Sequence, residues 1–561
     1  MKRMLTTHKV QAAAGTLAVG AAVAVAAFSG APALANTHAQ AAAGGVLSLE
    51  SSPVGQANGF NPFAPTSASS IVGATSLIYE PLFQTDALKP AVKPYPFLAT
   101  AFKWGHGGKS ITFTIRKGVK WSDGTAFGPA DVAFTYNLIK NNPKINNWGL
   151  TISKVSTSGD NVTLSFPTPQ YANFQQIAAM PYIVPQHVWA SAGDPSTYAA
   201  TTPVGTGPYK VQSVGASGLV LTANTGYWGG PFGHGVPVKT VEFPTLSSNT
   251  SALGALLSDQ VQWAGNFFPG FQKAAAGHPL EFNSPANNTN SLEPNLGEWP
   301  TNQLAVRQAI SLAIDRKAIS DQGEGGYEGP VTSATGITQP VFSASLAPSL
   351  KNMKLNVTAE PKAAENVLKQ AGYKKVGKYF ALHGKVVKLT LTDPSAYSDY
   401  AADDALVANE LQKAGIDATY QGLATNEWNS DMATGNFQLT MHWSQTSTSA
   451  FQEYNEWLNS ALATKANRAG NFEGLKAPAI DAALTKAASA ATQAAVTSDL
   501  MPVEKYVADN LPIIPTVYGV AWGEYNTGDF SGWPTPSNLY ESAQPAAPTN
   551  EVVILHLRPK S

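Results

Sequence analysis

Residues 386–443 read VVKLTLTDPSAYSDYAADDALVANELQKAGIDATYQGLATNEWNSDMATGNFQLTMHW. Apolar alternation marks a strand from Val386 to Thr392, and helical periodicity follows from Asp399 to Ala414. A second strand spans Asp417 to Leu423, a short helix runs from Thr425 to Thr434, and a third strand covers Phe437 to Trp443. A chain that leaves a strand through a helix and returns in the same direction builds βαβ units. That implies a right-handed crossover and a largely parallel sheet. The fold class is therefore α/β.

The pattern changes on either side of this stretch. Thr301 is placed as the N-cap of a helix carrying Leu304, Val306, Ile310 and Ile314, and Thr358 as the cap of a second helix ending at Gly372. An Ala-rich helical stretch, Pro478 to Asn510, precedes a buried strand from Ile513 to Tyr518. Towards the N-terminus a strand at Gly45 to Glu50 leads through a Gly/Pro/Asn-rich loop to a helical pattern from Ile71 to Phe83. Ile111, Phe113 and Ile115 mark another strand, and Pro129 opens a helix with Val132, Phe134, Leu138 and Ile139 on its apolar face. Asn161 to Phe166 reads as a strand too. Short strands at Tyr209 to Val211, Leu219 to Ala223 and Val238 to Phe243 imply small antiparallel sheets. No repeat of fixed period is present.

The chain has 561 residues, 36 Lys+Arg against 37 Asp+Glu, no cysteine, and a charged fraction of 13%. That length is enough for two or three lobes with sizeable cores. Without cysteine there is no disulfide, no thiolate metal site and no cysteine nucleophile. The balanced charge, with no basic stripe, excludes an electrostatic footprint for nucleic acid. A weakly charged exterior also suits an acidic habitat.

Lys2, Arg3 and Lys9 precede an Ala/Val-rich run from Ala12 to Phe28, which is the shape of an export signal. Ala33-Leu34-Ala35 offers a small-x-small cleavage site, so 1–35 is read as a signal peptide, with Ala39-Gln40-Ala41 as the other site available. Its removal takes the formal charge from −1 to −4. The expected product is exported, soluble and not a lipoprotein, since no cysteine exists to carry lipid.

Six further stretches carry a family resemblance. They are IYEPLF (Ile78–Phe83), ITFTIRKGVKWSDGTAFGPADVAFTY (Ile111–Tyr136), PVGTGPYK (Pro203–Lys210), NTGYWG (Asn224–Gly229), VRQAISLAIDRKAI (Val306–Ile319) and LPIIPTVYG (Leu511–Gly519). In this order they resemble the family 5 extracellular solute-binding proteins of ABC importers, which include receptors for oligopeptides, dipeptides, nickel and oligosaccharides. The resemblance implies a two-lobed periplasmic-binding-protein type II clamp with mixed sheets, closing on its ligand about a hinge. Lobe I would comprise 36–88, 200–299 and 511–561, with an extra subdomain at 89–199 packed on it; lobe II would be 300–510. Read by themselves, Gly205 and Gly207 suggest a turn with positive φ, and Arg307 and Asp315 read as surface or ion-pairing residues.

Constellations for catalysis are lacking. GHGGKS (Gly105–Ser110) echoes a phosphate loop, but Lys103 stands where its first glycine is required. There is no G-x-S-x-G and no H-E-x-x-H, and no two of the nine histidines lie at i, i+4. The expected protein is a receptor and not an enzyme, with no cofactor and no metal, acting as a monomer and passing a small oligomeric solute to ABC permease subunits. A secreted hydrolase is the rival from a different class.

The ligand reading turns on the loop after Trp443. Burying a peptide's α-ammonium is costly unless a carboxylate meets it. The resemblance places an Asp for that purpose just after the strand Phe437–Trp443, where this chain has Ser444-Gln445-Thr446-Ser447-Thr448-Ser449. Hydroxyls, amides and twelve Trp suit a neutral saccharide, and Trp522 to Asn538 resembles the oligosaccharide-binding branch of the family. A peptide remains the alternative, with Asp431, Glu453 or Glu456 as amine partner. Candidate contacts are Trp443 and Ser444 at the strand end, Trp428, Trp457, Trp263 with Asn266, and Tyr79 with Glu80. By alternation His442 faces away from Trp443 and is packed.

Overall fold

The computed structural model describes residues 45–560 apart from 55–58, 234, 247 and 465–467. The candidate signal, 1–35, lies outside them. In the first lobe Val46–Ser48 runs parallel to Thr240–Pro244, which is antiparallel to Gly218–Ala223, itself antiparallel to Tyr209–Gly215. Leu219, Leu221, Val241 and Phe243 lie at every second position and are buried, as a one-sided sheet requires. Residues 99–165 form a separate antiparallel sheet with the helix Pro129–Asn141 against it. One apolar cluster joins both sheets through Leu47, Phe113, Val132, Leu164 and Trp263.

The helix expected over 71–83 is instead two single turns, Ala68–Ile71 and Thr75–Ile78, followed by the strand Phe83–Gln84. Gly73 between the turns takes φ 70°, which ends the first turn. Gly205 and Gly207 are needed for a different reason than positive φ. A Cβ on Gly205 would lie 1.8 Å from the carbonyl oxygen of Ile78, and one on Gly207 2.5 Å from that of Leu77. These glycines let the 203–208 segment run directly against the Thr75–Ile78 turn, where the Gly207 N–H donates to Ile78 O at 3.0 Å.

The second lobe holds a five-stranded sheet made of β1 (Asn290–Pro294), β2 (Lys388–Pro394), β3 (Asp417–Leu423), β4 (Leu439–Trp443) and β5 (Ile514–Val517), in the order β3-β2-β4-β1-β5. β2 is parallel to both β3 and β4, while β1 is antiparallel to β4 and β5. The lobe therefore extends beyond 300–510 on both sides, because β1 and β5 are hydrogen-bonded into its sheet. Helices α1 (Ser398–Lys413) and α2 (Thr425–Thr434) connect the parallel strands, and α3 (Ala450–Leu458) follows β4. Leu389, Leu391, Val407, Leu411, Leu439 and Met441 fill the core between sheet and helices.

Several local expectations shift. The helix Leu304–Ala313 has Gln303 at its N-cap position, and the Thr301 hydroxyl donates to Asn295 O (2.7 Å) and Glu298 O (3.1 Å) instead. The helix Pro361–Gln370 begins after Glu360, because Pro361 suits a first helical position. The 478–510 stretch is two helices, Pro478–Ala488 and Gln493–Asn510; Thr492 starts the second by accepting from Ala495 N. Arg307 is buried and, among the described residues, makes no ion pair. Its guanidinium donates to the carbonyls of Thr301, Asn510 and Leu511.

The two passages between the lobes run side by side. Leu280–Phe282 pairs antiparallel with Glu524–Asn526, Ala521 N donates to Pro285 O (2.9 Å), Asn287 N donates to Gly519 O (3.0 Å), and β1 then pairs with β5. This continuous two-stranded ribbon is the hinge.

Replacing Gly205 by alanine should force the Ile78 backbone to move. Overpacking of this kind costs about 1–3 kcal/mol. The expected result in a thermal scan is a melting temperature several degrees lower. An unchanged melting temperature would refute the close-approach account.

Candidate functional site

β2, β3 and β4 end at Pro394, Leu423 and Trp443 on one edge of the sheet, and on that same edge β1 begins and β5 ends. The hinge ribbon leaves from it, so the carboxyl edge faces the first lobe. Crevices of this type are where open α/β sheets hold ligands.

Aromatic side chains collect there. Trp443 is 38% exposed, whereas Trp428 beneath it is buried and donates from Nε1 to Thr440 Oγ1 at 2.8 Å. The Trp443 ring lies 6.1 Å from Trp428, 6.3 Å from Tyr400 in the first turn of α1, and 4.5 Å from His442 at an interplanar angle of 16°. His442 is packed, but the two rings are stacked rather than on opposite sides. Trp443 is the last residue of its strand, and its ring lies across its neighbour's. Tyr397, Tyr400 and Phe472 complete this group and were missed in the sequence. A signal for Tyr400 existed, since the first turn of a crossover helix lies at the carboxyl edge.

Ser444 is fully buried. Its N–H donates to Thr289 O, its Oγ accepts from Thr289 N at 2.9 Å, and its hydroxyl donates to Glu453 Oε1 at 3.0 Å. Glu453 also accepts from the N–H of Thr338 (3.2 Å) and its hydroxyl (2.5 Å). Ser444 thus anchors the loop to the hinge and offers no surface to a ligand, and Glu453 is closed off by three donors. Burial pushes the Glu453 carboxyl up to about 7 against those hydrogen bonds. Glu456 is partly exposed, accepts from the Gln445 backbone N–H, and is raised to about 7, chiefly by desolvation. Asp431 sits in the last turn of α2, at the opposite edge of the sheet, where it accepts from Asn436.

The remaining candidates lie elsewhere. Trp457 is buried in the α3 core with Tyr454 and Leu484. Trp263 is buried in the first lobe, its Nε1 donating to Ala543 O at 2.5 Å and its ring 5.2 Å from Trp533. Asn266 follows it and is partly exposed; its N–H donates to Glu524 at 3.4 Å. Tyr79 and Glu80 are fully buried, and Glu80 accepts from Tyr227 Oη and Trp228 Nε1, each at 2.8 Å. Of the eight, only Trp443, Trp428 and Ser444 are brought together. Beside the hinge, Trp522 and Tyr327 are partly exposed with rings 5.6 Å apart and are backed by Phe267 and Phe282, a second aromatic group that sequence reasoning passed over.

The lobes touch directly past this edge. Thr448 N donates to Gln175 Oε1 at 3.1 Å, and Gln452 Nε2 to Asn173 Oδ1 at 2.8 Å. Among the described residues no cluster of His, Cys, Asp and Glu is arranged to hold a metal ion. Nor is any helix among them long and apolar enough to cross a membrane.

Residues 93–465 match the sequence model of the bacterial extracellular solute-binding proteins, family 5. The chain belongs to this family. Protein XP55 of Streptomyces lividans is 30% identical over 425 residues, covering 72% of each chain. A probable peptide-binding protein, YejA, of Agrobacterium fabrum is 22% identical over 499 residues, covering 79% of this chain and 80% of its own. Among solved structures, a mannohexaose-bound periplasmic oligopeptide-binding protein of an ABC transporter from Thermotoga maritima superposes with a TM-score of 0.82. It is 23% identical, and the match covers 92% of this chain and 99% of that one. The two-lobed clamp is the fold of this family, and a family 5 protein is the extracytoplasmic substrate-binding component of an ABC importer. Family 5 proteins bind solutes.

The acids of this family 5 chain generate a pH prediction. Burial raises Glu453, Glu456 and Glu504 to about 7 and Glu541 to about 8, and it also raises Glu80, Asp393, Asp403 and Asp404. In the unfolded chain these groups ionise near 4. Between about pH 4.5 and 8 the unfolded chain has shed protons that the folded chain keeps, so stability declines as pH rises through that window. Asp123, Asp194 and Glu365 are lowered and act in the opposite sense, but they lie near the surface and are screened. Unfolding midpoints should be highest near pH 4–5 and drop towards pH 8. A midpoint that stays level or rises across pH 5–8 would contradict this.

Proposed function

We propose that this receptor captures a short, uncharged oligosaccharide and delivers it, as a monomer, to the permease of an ABC importer. The observation that carries this reading is the Trp443 ring, exposed at the carboxyl edge and backed by His442, Trp428 and Tyr400. A flat, supported indole is a platform for the apolar face of a sugar ring. The 444–449 loop supports the same reading. Its acid neighbour Glu453 is enclosed by Thr338 and Ser444, so that carboxyl is not free to receive an α-ammonium. The Thermotoga relative holding mannohexaose agrees with it.

Peptide capture is the second reading. Glu456 favours it as a partly exposed acid beside the loop, as does the similarity to a probable peptide-binding protein.

Thermal-shift screening against mannohexaose, β-linked di- to penta-saccharides and peptides of two to eight residues separates the two. A ligand at 100 times its Kd adds about 2.7 kcal/mol to stability, a shift of a few degrees in a chain of this size. Saccharide hits are expected. Trp443→Ala should weaken them about tenfold by removing a stacking contact of about 1.5 kcal/mol. Hits confined to peptides would overturn the saccharide reading, and Glu456→Gln would then be the informative variant.

A further inference from the structure

Trp443 is held in place from behind. His442 lies under its ring at 4.5 Å, nearly parallel, and Phe472 meets the imidazole edge-on at 5.0 Å with Trp428 at 5.8 Å. On its far side His442 Nδ1 is 3.5 Å from Glu293 Oε1. Glu293 is fully buried on β1, and among the described residues neither of its carboxyl oxygens receives a hydrogen bond. The imidazole is the polar group that meets that carboxyl. Three more ionisable groups face the same space: Glu456 from α3, and Glu473 and Arg468 from the segment that follows it, with burial raising both acids.

We propose that His442 is the positioning residue of the Trp443 platform: its imidazolium, anchored by Glu293, pins the indole by cation–π stacking and makes solute capture depend on a bound proton. The saccharide half of this rests on the function proposed above, whereas the pinning of the ring does not. A protonated imidazole attracts the indole face more strongly than a neutral one. Burial works against the imidazolium, but Glu293 and Glu456 outweigh it, so the ring keeps its proton above the usual histidine range. As pH rises through that raised value the proton leaves, the ion pair with Glu293 is lost, and the indole is released.

Indole emission tests the pinning without any ligand, because a protonated imidazole in contact with indole quenches it. The difference between the intact protein and Trp443→Phe isolates Trp443 among the other tryptophans. It should brighten as pH rises from 5 to 9, with a midpoint above 6.5. The titration should vanish in His442→Gln, and in Glu293→Gln its midpoint should move down. A Trp443 signal that is constant from pH 5 to 9 in the intact protein, or that still titrates in His442→Gln, overturns the proposal. In calorimetry, mannohexaose affinity should fall about 2- to 30-fold from pH 6 to pH 9 in the intact protein and stay level in His442→Gln. If the emission titrates as expected but mannohexaose binds at neither pH, the saccharide reading falls and the pinning of Trp443 stands. If mannohexaose binds equally at both pH values, the proton dependence of capture is refuted.

Discussion

Both passages of the chain between the lobes run in one antiparallel ribbon, 280–294 against 514–526, and the whole carboxyl edge takes its position from it. A two-stranded ribbon resists shear along its ladder of hydrogen bonds but bends where the ladder is thin. Here it is thin at Ala286 and Val520, an isolated bridge between two sheets. Glu328 grips that point, accepting from Val520 N at 3.1 Å and from Asn290 Nδ2 at 2.6 Å. Asn290 is in turn the cross-strand partner of Trp443. Bending at the hinge and the placement of the exposed indole are therefore linked through one residue pair.

The acids explain how a chain with so few charges is organised. Acidic and basic residues are nearly equal in number, yet the ion pairs that lysines make among the described residues lie at the surface, while many carboxyls are inside without a cation. Asp403 approaches Glu324, and Asp404 approaches Asp393, so the helix α1 is docked on both sides by carboxyl against carboxyl. A protonated carboxyl is both donor and acceptor, so it can bond to a second carboxyl, and burial favours that uncharged form. Burial raises these carboxyls, and among the described residues no arginine or lysine pairs with them. This is the structural counterpart of the weakly charged surface read from the sequence.

The βαβ core was legible because its signals are local and redundant. Asp417–Leu423 and Thr425–Thr434 fall where the periodicity placed them, and α1 differs from expectation by one residue at each end. What the sequence could not show is what depends on distant partners. Nothing near Thr301 says that its hydroxyl is claimed by Asn295 and Glu298 before it can cap a helix. Gly205 looks like a turn glycine until Ile78, more than a hundred residues away, is placed against it. The membership of β1 and β5 in the second lobe is likewise a matter of long-range pairing, invisible to a boundary drawn from composition.

The site was legible to the same extent. Trp443 could be singled out because a strand's carboxyl end is a local feature. Ser444 next to it could not be excluded, since its burial comes from Thr289 and Glu453, which approach from other elements. Tyr79, Trp263 and Trp457 were chosen for residue type, and an aromatic ring at a strand or helix end is as readily core as contact. Five residues past Trp443, Thr448 reaches the first lobe at Gln175, and Ser444 between them is fixed to the hinge. Exposed indole, hinge anchor and inter-lobe contact are thus carried by one short run of backbone. The indole proposed to receive the solute thus lies on the same segment as an inter-lobe hydrogen bond, which ties the proposed site to the contact between the lobes.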